Sequence, residues 1–179
     1  MPLTSSTRWI GQDKSGGETD YTNIDELKEV LTPVPHLDFL LFDACFMSNI
    51  ESAYILRNAT STIIASPCEV MGYGFPYNKI IPLMLQNGGT SYDLEAICRT
   101  YVDHYRTEAS TPSACVALTH TAELEALAAT VKRVNEAAVK SDFSLRNVQY
   151  YEGQSVHSFY DLGDMVERVI VDEHLLIAV

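Results

Sequence analysis

A cysteine and an aspartate two residues apart end an apolar run, and their side chains are the ones in this chain best placed to do chemistry. Residues 37–42 are mostly apolar, and Asp43, Ala44 and Cys45 follow directly. A cysteine thiolate attacks acyl carbonyls when a base has removed its proton, whereas a thiol in apolar surroundings is usually a small buried hydrophobe. Side-chain chemistry alone therefore leaves a nucleophilic and a structural role for Cys45 equally open.

The pattern around Cys45 predicts the elements that hold it. A short run with almost no polar alternation indicates a central strand of a parallel sheet, covered by helices on both faces. Asn49 then opens a helical pattern that continues to Asn58, so Cys45 lies on the turn between strand and helix. Because ligands of open α/β sheets bind at such turns, we expect Cys45 to face a binding site.

A second buried strand is predicted at residues 61–66, and it runs directly towards Cys68. If the two strands are parallel neighbours, Cys68 lies near Cys45 and is the rival nucleophile. Cys98 and Cys115 fall among apolar residues of a helix and a strand, and both are predicted to be core residues. None of the four cysteines belongs to a C-x-x-C pair, so we expect free thiols and no zinc site.

Strand and helix patterns alternate along the chain, which predicts an α/β fold with a mainly parallel sheet flanked by helices. Asn23 and Glu26 form a capping-box pattern at the start of the first helix. Residues 1–22 lack periodicity and are predicted to be a flexible segment, whereas residues 72–77 form a glycine-bracketed loop that either walls a cleft or is a turn with aromatic plugs. The remaining predicted elements are a strand at residues 114–119 and helices at residues 24–31, 78–85, 91–105, 121–139 and 161–170.

Composition restricts the partners of the chain. Its 179 residues, 46% of them hydrophobic, suffice for one domain with a sizeable core. The formal net charge of −12 argues against nucleic acid or an anionic membrane surface as a partner and favours a basic substrate. The sequence contains no signal-peptide pattern and no apolar run of membrane-spanning length.

Several motifs, taken together, resemble the clostripain family of cysteine peptidases, which has a caspase-like fold. They occur in the order of the family, and the resemblance covers about residues 10–170. The motifs are residues 42–51, 53–57, 64–67 with Glu69, 74–77 and 160–164.

This resemblance implies roles for individual residues. Cys45 would be the nucleophile, its backbone N–H would contribute to an oxyanion site, and Asp43 would receive the basic side chain of an arginine or lysine substrate. Glu69 and Tyr73 are further candidates for substrate binding. Members of the family usually carry an acid at the position of Tyr73, so the resemblance implies a weaker or altered specificity here.

The chain lacks an obvious base for Cys45. In caspase-like chains the histidine lies roughly 50 residues upstream of the cysteine, which corresponds to a position at or before Met1. His36 lies at the other end of the predicted strand, about 30 Å away at ~3.3 Å per residue. His120 ends another predicted strand, which would place it at the same sheet edge as Cys45, and it is therefore the best geometric candidate among the histidines. We therefore predict that residues 1–179 are a single, partial peptidase domain, a fragment of a larger catalytic domain whose base lies upstream.

The leading prediction is a cysteine endopeptidase that cleaves peptide or protein substrates after arginine or lysine. The alternatives are a catalytically inactive caspase-like domain used for binding or scaffolding, and a weaker one, a phosphatase-like hydrolase that uses Asp43. By resemblance, the enzyme would mature through cleavage after a basic residue, with Lys14 as the candidate site and Arg8 as the alternative. No metal or cofactor is predicted, although some relatives need calcium. The parent protein is expected to be bacterial and exported, either secreted or periplasmic, with neither nucleic acid nor a membrane as its partner.

Overall fold

Strands and helices alternate along the computed structural model, which describes residues 9–17, 19–110, 112–140, 143–151 and 157–172. The strands are β1 (Trp9–Asp13), β2 (Asp20–Asn23), β3 (Leu40–Leu41), β4 (Thr62–Ala65) and β5 (Ala117–His120). The helices are α1 (Ile24–Leu31), α2 (Ile50–Leu56), α3 (Tyr77–Met84), α4 (Leu94–Thr107), α5 (Leu124–Lys140) and α6 (Leu162–Asp172), with single 3-10 turns at Thr121–Glu123 and Leu145–Asn147. No described helix is both long and apolar enough to cross a lipid bilayer.

Strand β4 forms the middle of a three-stranded sheet and is buried along its whole length. It pairs in parallel with β3, where Leu40 lies opposite Ile63, and antiparallel with β5, where Ala65 lies opposite Ala117. The α/β class is as predicted, but the sheet is mixed in the described residues rather than mainly parallel. Two helices separate β4 from β5, and the second returns the chain to the edge where β4 ends, so β5 runs in the opposite direction.

Helices cover both faces of this sheet. Successive residues of a strand point to opposite faces, so Ile63 and Ile64 enter different cores. The first core lies against α1, α2 and α5, and the second lies against α3 and α4. The buried residues of the first core include Ile24, Phe42, Ala53, Leu56, Ile63 and Leu124, and those of the second are Ile64, Phe75, Ile80, Ile97, Tyr101 and Tyr105. Burial on both faces is the reason why the strand residues show no polar alternation.

Side-chain caps determine where the helices begin. The Asn23 side chain accepts a hydrogen bond from the Glu26 backbone, and the Glu26 side chain accepts one from the Asn23 backbone, which confirms the capping box predicted for α1. Asn49 caps α2, again at the predicted start. Helix α4 begins later than predicted, because its cap is Asp93, whose side chain accepts a backbone N–H of the first turn at 2.8 Å.

The amino-terminal region contains a β-hairpin where the sequence predicts a flexible segment. Strands β1 and β2 pair antiparallel, and Asp13 lies opposite Asp20. The turn between them includes the exposed Lys14 and two glycines with positive φ, Gly16 and Gly17. Backbone hydrogen bonds between the two strands form this hairpin, although the sequence shows no hydrophobic periodicity there. The prediction of a flexible segment is therefore wrong for residues 9–13 and 20–22. Residues 1–8 and 18 lie outside the described residues.

Candidate active site

Cys45 lies on an exposed turn at the carboxyl edge of the parallel strand pair, as the sequence predicts. The backbone N–H of Phe42 still bonds to the Ile64 carbonyl at 2.9 Å, and the chain then leaves the sheet. The segment after Cys45 is anchored to the segment that follows β4. The Phe46 N–H donates to the Cys68 carbonyl at 3.0 Å. These bonds fix the position of the thiol between two loops that leave neighbouring strands at the same edge.

The Cys45 thiol makes its own contacts with the second of these loops. The Val70 N–H donates to the Cys45 Sγ atom at 3.2 Å, and the thiol donates to the Val70 carbonyl at 3.7 Å. A sulfur atom that is exposed and still held by backbone groups has a defined position and remains accessible to a substrate. This combination supports a chemical role for Cys45 rather than that of a buried hydrophobe.

The other three cysteines are less accessible than Cys45. Cys68 lies near Cys45 as predicted, but burial and the adjacent Cys115 raise the pKa of its thiol to about 11. Burial likewise raises the pKa of the Cys98 thiol. Cys98 and Cys115 are half-buried rather than fully in the core, so the prediction that they are core residues is correct only in part. A raised pKa lowers the thiolate fraction of Cys68 at neutral pH, which argues against Cys68 as the nucleophile.

The backbone next to Cys45 leaves one amide available. Phe46 adopts a positive φ of 59°, a conformation that side-chain-bearing residues rarely occupy, and its ring stacks on Phe159 at 4.7 Å between centroids. Because the Phe46 N–H already donates to the Cys68 carbonyl, it is not free for a ligand. The Cys45 N–H has no acceptor among the described residues, so it remains available beside the thiol.

Asp43 is exposed on the same turn and is held by the loop that precedes α3. Its Oδ2 atom accepts hydrogen bonds from the Phe75 N–H at 3.2 Å and from the Tyr77 hydroxyl at 2.9 Å. Burial and the Asp43 carboxylate together raise the pKa of Tyr77. Both bonds go to the same carboxylate oxygen, so the other oxygen, Oδ1, has no donor within the described part of the chain.

The loop of residues 72–77 both walls this site and packs into the core. Gly74 has a positive φ of 67°, and its carbonyl accepts a bond from the Tyr105 hydroxyl at 2.8 Å. Phe75 is buried and stacks on Tyr101 at 4.1 Å between ring centroids. Burial raises the pKa of Tyr101 to about 12, and its buried hydroxyl has no partner in the described structure. The sequence leaves a cleft wall and a turn with aromatic plugs as alternatives, and this loop has both properties.

The remaining candidates lie at the rim or away from it. Glu69 is exposed and adjacent to Cys68, and Tyr73 is 85% exposed on the loop that holds Asp43. No hydrogen bond joins either side chain to Cys45 or Asp43 among the described residues. Lys14 occupies the exposed hairpin turn.

Two of the histidines lie at the opposite edge of the sheet. His36 contacts the Asn58 carbonyl at 3.1 Å and the Ser61 hydroxyl at 3.0 Å, next to the start of β4. His120 pairs with Thr62, the first residue of β4. The prediction that His120 shares an edge with Cys45 is therefore wrong, because β5 runs antiparallel and ends where β4 begins.

Two other described histidines contact side chains other than Cys45, although the buried Nδ1 atom of each has no hydrogen-bond partner among the described residues. The His104 Nδ1 atom lies 3.5 Å from a Glu108 carboxylate oxygen, and the His157 ring stacks on Tyr150 at 3.6 Å. Within the described ranges no histidine is hydrogen-bonded to Cys45, and His174 lies outside them. The same residues contain no group of three or more His, Cys, Asp and Glu side chains that could hold a metal ion.

Sequence reasoning missed Val70 and Tyr77, which hold the two exposed side chains. Val70 acts through its backbone, which no residue type reveals. Tyr77 is the last residue of the loop of residues 72–77 and the first residue of α3. The loop and the family motif at residues 74–77 both include it, but neither assigned a role to its hydroxyl.

Comparison with known proteins gives consistent matches. The model of the clostripain family matches residues 3–172. Clostripain from Hathewaya histolytica is 38% identical over 84 residues, a match that covers 44% of this chain and 16% of clostripain.

Solved structures show the same similarity in three dimensions. A clostripain from Bacteroides thetaiotaomicron, in complex with the peptide inhibitor BTN-VLTK-AOMK, is 33% identical with a TM-score of 0.73, and the match covers 82% of this chain and 64% of that one. A secreted C11 cysteine protease from the same organism, iotapain, is 33% identical with a TM-score of 0.72. That match covers 82% of this chain and 41% of iotapain. The chain thus spans less than two thirds of each of these relatives.

Proposed function

The chain belongs to the clostripain family of cysteine proteases and has their caspase-like fold, and from this we propose that it is part of an endopeptidase that cleaves after lysine or arginine. One observation carries the proposal: the exposed Cys45 thiol and the exposed Asp43 carboxylate lie two residues apart, each held by the segment after β4. The thiol provides a nucleophile, and the carboxylate provides a counter-charge for a basic side chain beside the scissile bond.

The reaction follows from these groups. The Cys45 sulfur, after loss of its proton to a base, attacks the carbonyl carbon and forms a tetrahedral intermediate. The Cys45 N–H, which has no acceptor in the described part of the chain, is the amide suited to donate to the developing oxyanion. Collapse of the intermediate breaks the C–N bond, and the protonated base returns its proton to the departing amine. Water, deprotonated by the same base, then hydrolyses the thioester and regenerates the thiol.

The base in this proposal is a histidine from sequence upstream of Met1 in the parent protein. The described histidines support this choice, because His36 and His120 lie at the opposite edge of the sheet and His104 and His157 contact other side chains. The alternative is a catalytically inactive domain that binds peptides through the same cleft, and the two functions differ only in whether a base reaches Cys45.

A basic substrate fits the electrostatics of the chain and of the site. The net charge of −12 attracts cations, and Asp43 presents a carboxylate oxygen that has no donor among the described residues. The inhibitor bound by the Bacteroides clostripain, BTN-VLTK-AOMK, carries lysine directly before its AOMK group, which fits the same specificity. Glu69 and Tyr73 are proposed to contact the peptide at the rim. The similarity to a secreted Bacteroides protease supports an exported parent protein.

Affinity labels test this function. We expect a peptidyl acyloxymethyl ketone with lysine next to the warhead to modify Cys45 faster than the same peptide with alanine, and Cys45→Ala to abolish labelling. Intact-mass measurement with peptide mapping gives the rates and the site. Equal rates for the two labels would contradict the proposed specificity for basic residues. Hydrolysis of a lysyl substrate by the parent protein, lost in Cys45→Ala, separates the protease from the inactive binding domain.

A further inference from the structure

The hydrogen bonds around Asp43 allow the specificity to be defined more closely. We infer that Tyr77 is a positioning residue that occupies one oxygen of Asp43 and thereby makes the site prefer lysine over arginine before the scissile bond. This inference rests on the proposed function, because it assumes that Asp43 receives the basic side chain of the substrate.

The Asp43 carboxylate has a limited number of acceptor directions. Each carboxylate oxygen offers two lone-pair directions. At Oδ2 of Asp43 both are in use, one by the Phe75 N–H at 3.2 Å and one by the Tyr77 hydroxyl at 2.9 Å. The Oδ1 atom has no donor in the ranges that the structure describes. A substrate cation therefore meets a single available oxygen.

The two possible substrate cations differ in geometry. A lysine ammonium is a compact point charge that pairs well with one oxygen, whereas an arginine guanidinium is a planar fork that gains most when it donates to both oxygens of a carboxylate. To bind that fork, Asp43 would have to release the Tyr77 hydroxyl or the Phe75 amide. Arginine is thus limited to a weaker contact through one oxygen.

Hydrogen bonds to the loop of residues 72–77 make this arrangement rigid. The Asp43 side chain keeps its orientation, because the loop that donates to it is itself held by hydrogen bonds at Gly74. The Gly74 N–H donates to the Met71 carbonyl at 2.7 Å and the Gly74 carbonyl accepts from Tyr105 at 2.8 Å. The pKa of Tyr77 is raised by burial and by Asp43, so the phenol keeps its proton and its bond at neutral pH. Tyr73 offers no second carboxylate on this loop.

The test compares labels that differ only in the residue next to the warhead. Peptidyl acyloxymethyl ketones with lysine, arginine or alanine are reacted with the chain, and the second-order rate constants for Cys45 are measured by mass spectrometry. Because every label attacks the same sulfur, the ratio of rates does not depend on whether a base is present. We expect lysine to react fastest in the wild type.

Tyr77→Phe removes the hydroxyl and frees one acceptor direction on Asp43. The ratio of arginine to lysine rates should then rise roughly three- to tenfold, the effect of one additional hydrogen bond. Tyr77→Leu should give the same direction of change. Tyr92→Phe is the matched control, because this half-exposed tyrosine loses the same atom but packs on Phe39 at 5.2 Å. Iodoacetamide, a neutral label, reports whether each variant keeps Cys45 accessible.

The outcomes separate the two proposals. If lysine and arginine labels react no faster than the alanine label, the basic specificity of the proposed function fails, and this inference fails with it. If basic labels are preferred but arginine leads in the wild type, or Tyr77→Phe and Tyr77→Leu leave the ratio unchanged, the role of Tyr77 is refuted while the proposed function stands.

Discussion

Gly74 has no space for a side chain because of Asp43: a Cβ atom built on Gly74 would lie 2.3 Å from the Asp43 Oδ2 atom. Gly74 also has a positive φ of 67°, which glycine adopts without strain. The Gly74 backbone therefore lies so near the candidate specificity carboxylate that no side chain fits between them. The loop of residues 72–77 and the Asp43 carboxylate pack closely together. A substitution in the loop should therefore displace the carboxylate, and a substitution of Asp43 should alter the loop.

The first prediction concerns this contact. Gly74→Ala should displace the Asp43 carboxylate and reduce the preference for the lysine label over the alanine label. It should also lower the free energy of unfolding by about 1–2 kcal/mol, because alanine is strained at positive φ. Gly72→Ala is the matched control, since a Cβ there meets nothing within 4 Å. Urea denaturation and labelling rates check both effects, and equal behaviour of the two variants would contradict the tight fit.

The second prediction concerns the charge of Asp43. Asp43→Asn keeps an oxygen that can accept from the Phe75 amide and the Tyr77 hydroxyl, but it removes the negative charge. We expect the rate with the lysine label to fall roughly ten- to a hundredfold, while alkylation of Cys45 by iodoacetamide persists. An unchanged lysine preference would mean that Asp43 only organises the loop.

The third prediction ranks the thiols. Limited treatment with iodoacetamide at pH 8 should modify Cys45 first, because it is exposed while the other three are half-buried. Burial raises the pKa of Cys68 to about 11, so its thiolate fraction is small at pH 8 and should increase as the pH rises towards that value. Peptide mapping across a pH series measures both rates. A Cys45 that reacts more slowly than the other thiols would contradict the placement of the nucleophile.

The fourth prediction concerns maturation. Lys14 lies in an exposed turn with Gly16 and Gly17, and such turns are readily cut by proteases. In the parent protein we expect a break after Lys14 that is absent in Cys45→Ala and in Lys14→Ala, as detected by N-terminal sequencing. Arg8→Ala is the comparison variant for the alternative site. Cleavage that continues in Cys45→Ala would show that another protease makes the cut.

Local patterns in the sequence were sufficient for the centre of the site. The apolar run before Asp43 and the cap at Asn49 predicted a strand and a helix with Cys45 on the turn between them, and the structure confirms this placement. The capping box at Asn23 was also correct. These features depend on residues close in sequence, whose spacing records the period of a strand or the start of a helix.

Features that join distant segments required the tertiary structure. The direction of β5 put His120 at the edge away from Cys45, and no residue pattern within β5 records that direction. Asp43 and Tyr77 are 34 residues apart, and the geometry of their hydrogen bond depends on how the loop after β4 folds back. Sequence thus determined which side chains could do chemistry and where the chain turns. Only tertiary packing decided which partners those side chains have, because long-range contacts depend on topology rather than on local periodicity.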